Sequence, residues 1–221
     1  MAWILQILIN GRTKMSKKGF TLMELMVVVA IIGILAMVAG PNLMKASPEA
    51  EYSNTVHDLS QDLVLARFRA ISENTNIVVA FDIVNKRYFV LRDSDFNFDV
   101  STFAPYAPPC QTGAVIINGD TQIKCVQLSD RIQFGPASGF GSSIPFPYSG
   151  ITLNSECSFC AGGKGAFIFS ADGRMALNSA GGFLSLTAGG GGILLELVAS
   201  VNVSRKSAIL VTSPRGMVKV F

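Results

Sequence analysis

The chain contains one long apolar run that is interrupted by a single acid near its start. The run extends from Phe20 to Gly40, and Glu24 is its only charged residue. As a helix it would measure about 31 Å, which is enough to cross a hydrocarbon core of about 30 Å. A carboxylate inside such a core costs roughly 2.5–3.5 kcal/mol on insertion scales, so a functional role for it is the first hypothesis. The run therefore predicts a membrane helix with Glu24 as a functional residue.

The start of this run forms a short motif. The sequence KKGFTLMEL at residues 17–25 resembles the N-terminus of type IV prepilins and type II secretion pseudopilins. The resemblance implies that a prepilin peptidase cuts between Gly19 and Phe20 and N-methylates Phe20. It also implies that Glu24 meets the N-terminal amine of Phe20 in a neighbouring subunit. The alternative is an ordinary Sec signal peptide, but residues 36–40 do not form a clean small-residue cleavage site.

Residues 1–19 are predicted to be a leader. Their own apolar stretch, residues 3–9, is too short to span a membrane. Met15 opens a compact basic leader of the kind prepilins have, so we expect translation to begin there; a genuine long leader is the alternative. Basic residues beside the apolar run favour a cytoplasmic location for this end, which leaves the larger domain in the periplasm or outside.

The net charge of +3 comes from the leader. Four of the 18 lysines and arginines, and none of the 15 acids, lie in residues 1–19. The remainder carries 14 basic against 15 acidic residues, a side-chain balance of −1. This excludes a generally basic, nucleic-acid-binding polypeptide. With 49% apolar residues, a membrane segment plus one globular domain with a sizeable core is the simplest division.

An amphipathic helix is predicted after the membrane segment. Pro41 predicts a kink or local melting, and Ser47-Pro48-Glu49 is typical of a helix start. Apolar residues then recur at intervals of three and four up to about Ser72. They are Tyr52, Val56, Leu59, Leu63, Ala66 and Ala70. We expect this stripe to pack on the domain's own sheet, with a partner helix as the alternative.

From Asn76 the pattern changes to strands and turns. Strands are predicted over residues 76–81, 87–91, 114–117, 121–128, 131–134, 165–169, 183–187, 195–203, 208–211 and 216–221. Residues 135–150 are predicted to be a long surface loop and residues 189–192 a flexible turn. The predicted fold is α+β, a long N-terminal helix packed on an antiparallel β domain. Its parts are a leader (1–19), a membrane and assembly helix (20–40), an amphipathic helix (41–75) and the β domain (76–221).

Two stretches of the β domain extend the resemblance. Residues 167–174 and the C-terminal hairpin 209–218 resemble the β core of the GspH/FimT branch of minor pseudopilins and minor pilins. This implies a structural subunit in the bacterial inner membrane that passes into a periplasmic pseudopilus or a surface pilus. It also implies partners: the prepilin peptidase, other pilins or pseudopilins, and an assembly platform with a cytoplasmic ATPase. The choice of machine, and whether the subunit is major or minor, stay open.

Four cysteines lie beyond the membrane segment. They are Cys110, Cys125, Cys157 and Cys160. An even count in an oxidising compartment indicates disulfides. Of three possible connectivities we favour the two local ones, Cys110–Cys125 and Cys157–Cys160. Free or redox-active thiols and a metal site are the alternatives.

No catalytic, metal or cofactor site is predicted. His57 is the sole histidine, and neither a phosphate-binding loop nor a nucleophile elbow occurs. Residues 93–99 offer oxygen side chains at the odd positions of a calcium loop, but Phe98 replaces the required glycine and Ala104 the bidentate glutamate. A solvated acidic loop is therefore expected, and an irregular calcium loop of the kind that occurs in pilin relatives is the alternative. An enzyme with an atypical anchor is the alternative class.

The C-terminal end raises a different alternative. No acid follows Glu196, whereas the segment contains Arg205, Lys206, Arg215 and Lys219. DNA-uptake pilins of the FimT type bind DNA through a basic C-terminal region, so the resemblance implies DNA as a candidate partner. The favoured interpretation is a solvated hairpin edge, where basic side chains discourage strand-to-strand aggregation.

Overall fold

The computed structural model describes residues 20–135, 157–179, 182–184, 191–197, 206–212 and 216–221; side chains of residues 38–47 and of a few strand positions are outside this description. The predicted leader, residues 1–19, also lies outside the described residues. The chain divides into two compact units, residues 1–46 and 47–221. Each is considered by itself below.

Helix α1 comprises Leu22–Glu73. It continues through Pro41 and Ser47-Pro48-Glu49, so the predicted helix start at Ser47 is wrong. A cap and a first-turn proline begin a helix only where the preceding chain is not helical, and extending an existing helix is far cheaper than nucleating one. The kink at Pro41 stays a prediction.

The N-terminal unit contains the predicted membrane segment. Within the described residues, no stretch of helix combines the length and the apolarity of a membrane span. The last residues of the predicted span, 38–40, have side chains outside the described set.

The second half of α1 has one buried face. The predicted stripe is confirmed: its six side chains are at most 5% exposed and all belong to the main core of the domain. Spacings of three and four residues place them along one side of the helix. The sheet beneath α1 therefore supplies the surface that the stripe requires.

The β domain contains eleven strands among its described residues. They are β1 (Asn76–Asp82), β2 (Arg87–Asp93), β3 (Ile116–Ile117), β4 (Asp120–Gln127), β5 (Ile132–Phe134), β6 (Lys164–Phe169), β7 (Met175–Ser179), β8 (Gly182–Leu184), β9 (Gly191–Leu197), β10 (Lys206–Thr212) and β11 (Met217–Val220). One sheet has the order β3-β4-β2-β1-β6-β7-β8 and the other β11-β10-β9-β5. Every pairing within them is antiparallel, which confirms the predicted class.

Both faces of the larger sheet are buried, because alternate residues of a strand point to opposite sides. In β1, Ile77, Val79 and Phe81 join the main core with α1 and the second sheet. Val78 and Ala80 join a second core on the other side. This is why β1 is a continuous apolar run rather than an alternating one.

The second core is covered by the segment between β2 and β3. Phe103 packs edge-on against Phe89 of β2, with ring centroids 5.5 Å apart. The buried amide of Asn178 on β7 fixes the same segment, donating to the carbonyl of Phe98 and accepting from the N–H of Val100. The insertion at residues 93–113 therefore serves as a lid over the outer face of the sheet.

Several sequence predictions of strands need correction. Strand β7 was not predicted separately, because Met, Ala and Asn are weak strand formers. Gly191 and Gly192, predicted to belong to a flexible turn, begin β9 and are buried. Most of the predicted loop 135–150, and residues 198–203 of the predicted strand 195–203, lie outside the described residues.

Candidate functional site

The first turn of α1 is fixed by a cap. The N–H of Glu24 lies 3.2 Å from Thr21 Oγ1 and donates to it, while the N–H of Leu25 donates to the carbonyl of Thr21 at 3.2 Å. Thr21 followed by Glu24 three residues later matches the capping-box pattern. The acid also lies at the positive end of the helix dipole, where negative charge is favourable. Glu24 thus has a local structural role that the sequence reasoning missed, although the pattern was visible.

Apolar side chains surround the helix that follows this cap. The large apolar residues from Phe20 to Met37 are between 47% and 81% exposed. Leu25 to Val29 go once around a helix of 3.6 residues per turn, and each is exposed by at least 47%. A helix that is apolar on every side is stable only when lipid or other helices surround it. The first part of α1 therefore requires a covering that this chain's described residues do not provide.

Residues 14–40 match the prokaryotic N-terminal methylation motif. The chain is pilin-like at its N-terminus. Over 46 residues it is 46% identical to the type II secretion system core protein G of Klebsiella michiganensis, a stretch that covers 21% of this chain and 32% of that protein. Over 87 residues it is 44% identical to a fimbrial protein of Pseudomonas aeruginosa, which covers 39% of this chain and 52% of that protein.

The pilin-like chain thus spans between about a third and a half of the length of these curated relatives. Among solved structures, it is similar to the minor pseudopilin EpsH from the type 2 secretion system of Vibrio cholerae. That comparison has a TM-score of 0.37 and 12% identity and covers 77% of this chain and 94% of that one.

The predicted processing and assembly residues fall on both sides of the described boundary. Gly19 lies outside it, whereas Phe20 and Glu24 are described and exposed. Phe20 precedes the cap and is not helical. The predicted cleavage site therefore leaves two residues, Phe20 and Thr21, before the first helical residue, Leu22.

The four cysteines form two disulfides. Cys110 bonds to Cys125 with Cα atoms 5.6 Å apart, and Cys157 bonds to Cys160 with Cα atoms 5.5 Å apart. This is the connectivity that the sequence analysis favoured. The first bond fastens the lid to β4. The second lies beside β9, because Cys157 pairs with Ile193 in an isolated bridge.

The second half of α1 is fixed to the sheet by a polar cluster. The hydroxyl of Tyr88 donates to Asp62 Oδ2 at 2.7 Å, and Lys124 Nζ donates to both carboxylate oxygens of Asp62 at 2.7 and 2.8 Å. Burial, reinforced by the neighbouring Asp62 carboxylate, raises the pKa of Tyr88 well above its usual range. This cluster joins α1 to β2 and β4.

A second acidic cluster lies where β2 ends and β4 begins. Carboxylate oxygens of Asp93, Asp95 and Asp120 lie within 4.8 Å of one another. Asp93 and Asp120 are only 1% and 2% exposed, so the solvated loop predicted for residues 93–99 is wrong at Asp93. Burial, followed by repulsion from Asp93 and Asp95, raises the pKa of Asp120 to about 7.

Sequence reasoning missed this cluster because Asp120 is 21 residues further along the chain than Asp99. The tight turn at Asn118 and Gly119, with φ values of 54° and 96°, leads directly into Asp120. Asn-Gly between two short apolar runs is a hairpin signal. That signal could have placed Asp120 at a strand start, but not beside the preceding loop.

The basic C-terminal residues are only partly described. Arg205 and Arg215 lie outside the described residues, and of Lys206 only the backbone position in β10 is described. Lys219 lies on the edge strand β11, is exposed, and pairs in register with Leu210. Lys206 lies four residues before Leu210 on β10, about 13 Å along the strand. The described positions therefore do not form a compact basic patch.

Proposed function

We propose that this chain is a minor pilin or pseudopilin, a structural subunit rather than an enzyme, that assembles through the first part of α1. One observation carries the proposal: apolar side chains cover every side of residues 22–37, and Glu24 is the only charge among them. The bilayer covers this surface before assembly, and the helices of neighbouring subunits cover it afterwards.

In this proposal the subunit crosses the inner membrane once, with its β domain in the periplasm. It then passes into a periplasmic pseudopilus or a surface pilus. Its partners are a prepilin peptidase, other pilins or pseudopilins, and an assembly platform with its ATPase. The names of the relatives include both a secretion core protein and a fimbrial protein, which supports both machines equally. Recovery of the assembled subunit from the periplasm or from sheared surface filaments distinguishes them.

Glu24 has a specific role in this assembly. An unpaired carboxylate in a dry bundle of helices is strongly unfavourable, whereas one that meets a cation is tolerated only at that position and so sets the register. The N-terminal amine of Phe20 in a neighbouring subunit is the cation that the pilin-like motif supplies. The exposed position of Glu24 in the first turn supports this contact.

The processing step is tested first. Mass spectrometry of the membrane-extracted protein should find a mature N-terminus at Phe20 that carries one methyl group. Gly19→Leu should block the cut, because a bulky residue replaces the glycine of the motif. Gly33→Leu is the matched control and should be processed normally, since a Cβ built at Gly33 meets no side chain of a more distant described residue within 4 Å. A terminus beyond Ala39 would contradict the proposal and indicate a Sec signal.

The role of Glu24 is tested by Glu24→Val. This variant should be processed and inserted as well as the wild type, because the membrane segment becomes more apolar. It should fail to enter filaments, measured as the subunit recovered in the sheared or sedimented filament fraction. Glu51→Val makes the same chemical change later in α1 and should assemble normally. Wild-type incorporation of Glu24→Val would show that the proposed pairing is wrong.

A further inference from the structure

The cluster of Asp93, Asp95 and Asp120 has the dimensions of a cation site. Its carboxylate oxygens lie within 4.8 Å of one another. Two oxygens that bind one Ca²⁺ at its usual distances of about 2.3–2.6 Å are at most about 5 Å apart. One ion can therefore contact all three side chains without a rearrangement of the backbone.

A second observation points to a ligand here. Asp120 is 2% exposed, and its Oδ1 is a buried atom with no hydrogen-bond partner among the residues that the structure describes. A buried carboxylate oxygen without a partner is strongly unfavourable unless a cation or a donor satisfies it. The side chains nearest to it in this cluster, Asp93 and Asp95, carry the same charge and can only add to this cost. Asp120 therefore lacks what a cation would supply.

The remaining polar groups of the cluster hold the acids in place. The N–H of Asn97 donates to Asp93 Oδ1 at 3.1 Å, and the N–H of Phe98 donates to Asp93 Oδ2 at 3.4 Å. Asn97 Nδ2 donates to Asp95 Oδ2 at 2.7 Å, and Asn76 Nδ2 to Asp93 Oδ2 at 3.4 Å. These neutral donors orient Asp93 and Asp95 but bring no positive charge to the cluster. Among the described residues, no basic side chain forms an ion pair with any of the three acids.

The geometry points to a Ca²⁺ site formed by Asp93, Asp95 and Asp120. All-oxygen carboxylate ligands select hard cations over zinc or copper. Mg²⁺ requires near-ideal octahedral geometry and is usually held by one or two carboxylates, whereas Ca²⁺ accepts irregular sets of six to eight oxygens. Water and backbone carbonyls complete the shell. Exposed Asp95 gives the ion a route from solvent.

This site would couple Ca²⁺ to the lid over the outer sheet. Asp93 and Asp95 lie at the start of the segment that covers the second core, while Asp120 begins β4 on the far side of that segment. An ion that joins them closes the lid at its base. The inference is independent of the assembly helix, so its failure would leave the proposed function untouched.

The experiment uses the full chain in detergent micelles after treatment with EGTA. Extracellular calcium modules bind with dissociation constants of about 10⁻⁴–10⁻³ M, and CaCl₂ at a hundredfold excess over such a value should raise the unfolding temperature by roughly 5–10 °C. MgCl₂ at the same concentration should produce no comparable shift. No shift with CaCl₂, or an equal shift with MgCl₂, would overturn the assignment.

Three variants test the residues. Asp120→Asn keeps the side-chain volume and removes a buried charge, so in EGTA it should unfold at a higher temperature than the wild type yet gain nothing from CaCl₂. Asp95→Asn, at an exposed position, should fold normally and bind Ca²⁺ at least tenfold more weakly by calorimetry. Asp130→Asn removes an exposed acid elsewhere and should respond as the wild type does. A full calcium response in Asp120→Asn or in Asp95→Asn would overturn the site.

Discussion

The two halves of α1 belong to one helix but differ in how their apolar residues are arranged and covered. From residue 22 to 37 apolar side chains lie on every side and are exposed. From residue 52 to 70 apolar side chains recur on one stripe, and that stripe is buried in the main core. Described residues of the same chain cover the second half, whereas they leave the first half exposed. A continuous helix can therefore be covered by different partners along its length. The period of its apolar residues indicates whether one face or every face must be covered.

The largest expected effect comes from the buried stripe. Leu63 is fully buried, so Leu63→Ala should lower the free energy of unfolding of the β domain by about 2–5 kcal/mol, because it removes apolar contacts and leaves a cavity. Ile32→Ala truncates an aliphatic side chain in the exposed first half and should leave that free energy unchanged. Urea unfolding of the full chain in detergent measures both. Equal losses in the two variants would break the comparison.

A smaller effect is expected where the buried half of the helix is polar. Asp62→Ala should cost about 1–3 kcal/mol, because the buried hydroxyl of Tyr88 loses its acceptor and Lys124 its partner. Adding Tyr88→Phe should recover part of this loss, since it removes the hydroxyl left without a partner. Asp58→Ala, at an exposed position on the same helix, is the control. The same urea titrations check all three, and an additive loss in the double variant would contradict the explanation.

The second half of α1 also has an exposed apolar row, which consists of Val64, Leu65, Phe68 and Ile71. We expect this row to contribute little to the free energy of unfolding. Phe68 is 66% exposed and borders a groove of about 310 Å³ together with Val218 and Val220 of β11. Phe68→Ala should change the free energy of unfolding by no more than about 0.5 kcal/mol. A loss as large as that of Leu63→Ala would mean that the exposed row is part of the fold, and the contrast between the two faces would have to be revised.

The smallest expected effect concerns the basic hairpin that borders this groove. We expect no DNA binding by the full chain in detergent at low salt, and so no difference after alanine replaces Arg205, Lys206, Arg215 and Lys219. Fluorescence polarisation with a labelled duplex measures it. Binding that vanishes in this variant, with a salt slope in log K of roughly −3 to −4, would instead assign the protein to DNA uptake.

Local patterns in the sequence were sufficient to predict much of the fold. The stripe of α1 follows from spacings of three and four, and the β1–β2 hairpin from two apolar runs around residues 84–86; in the structure Phe81 pairs with Tyr88. The two disulfides join cysteines that are 15 and 3 residues apart. Each of these features depends on residues that are neighbours in sequence, so a single sequence contains the information.

What could not be predicted depends on distant contacts. Asp120 meets Asp93 only because β2 and β4 are paired, and no pattern around either residue indicates that pairing. The lid could be predicted only as an insertion, because its aromatic residues have no strand or helix period. Their burial depends on the outer face of β2, which they cover. The cap at Thr21 is different, since its pattern was present in the local sequence and was missed.

The close approach of the two sheets at Gly191 has a consequence for how this domain tolerates sequence change. A Cβ at Gly191 would lie 2.7 Å from Leu177 Cδ2 and 2.9 Å from atoms of Phe159 and Phe167. Even alanine would therefore require these three buried side chains to shift within a packed core. Gly191 stands in a compositionally simple run, yet it is in this respect among the least replaceable residues of the described domain. Random mutagenesis should find it intolerant where an ordinary glycine-rich linker accepts almost any small residue.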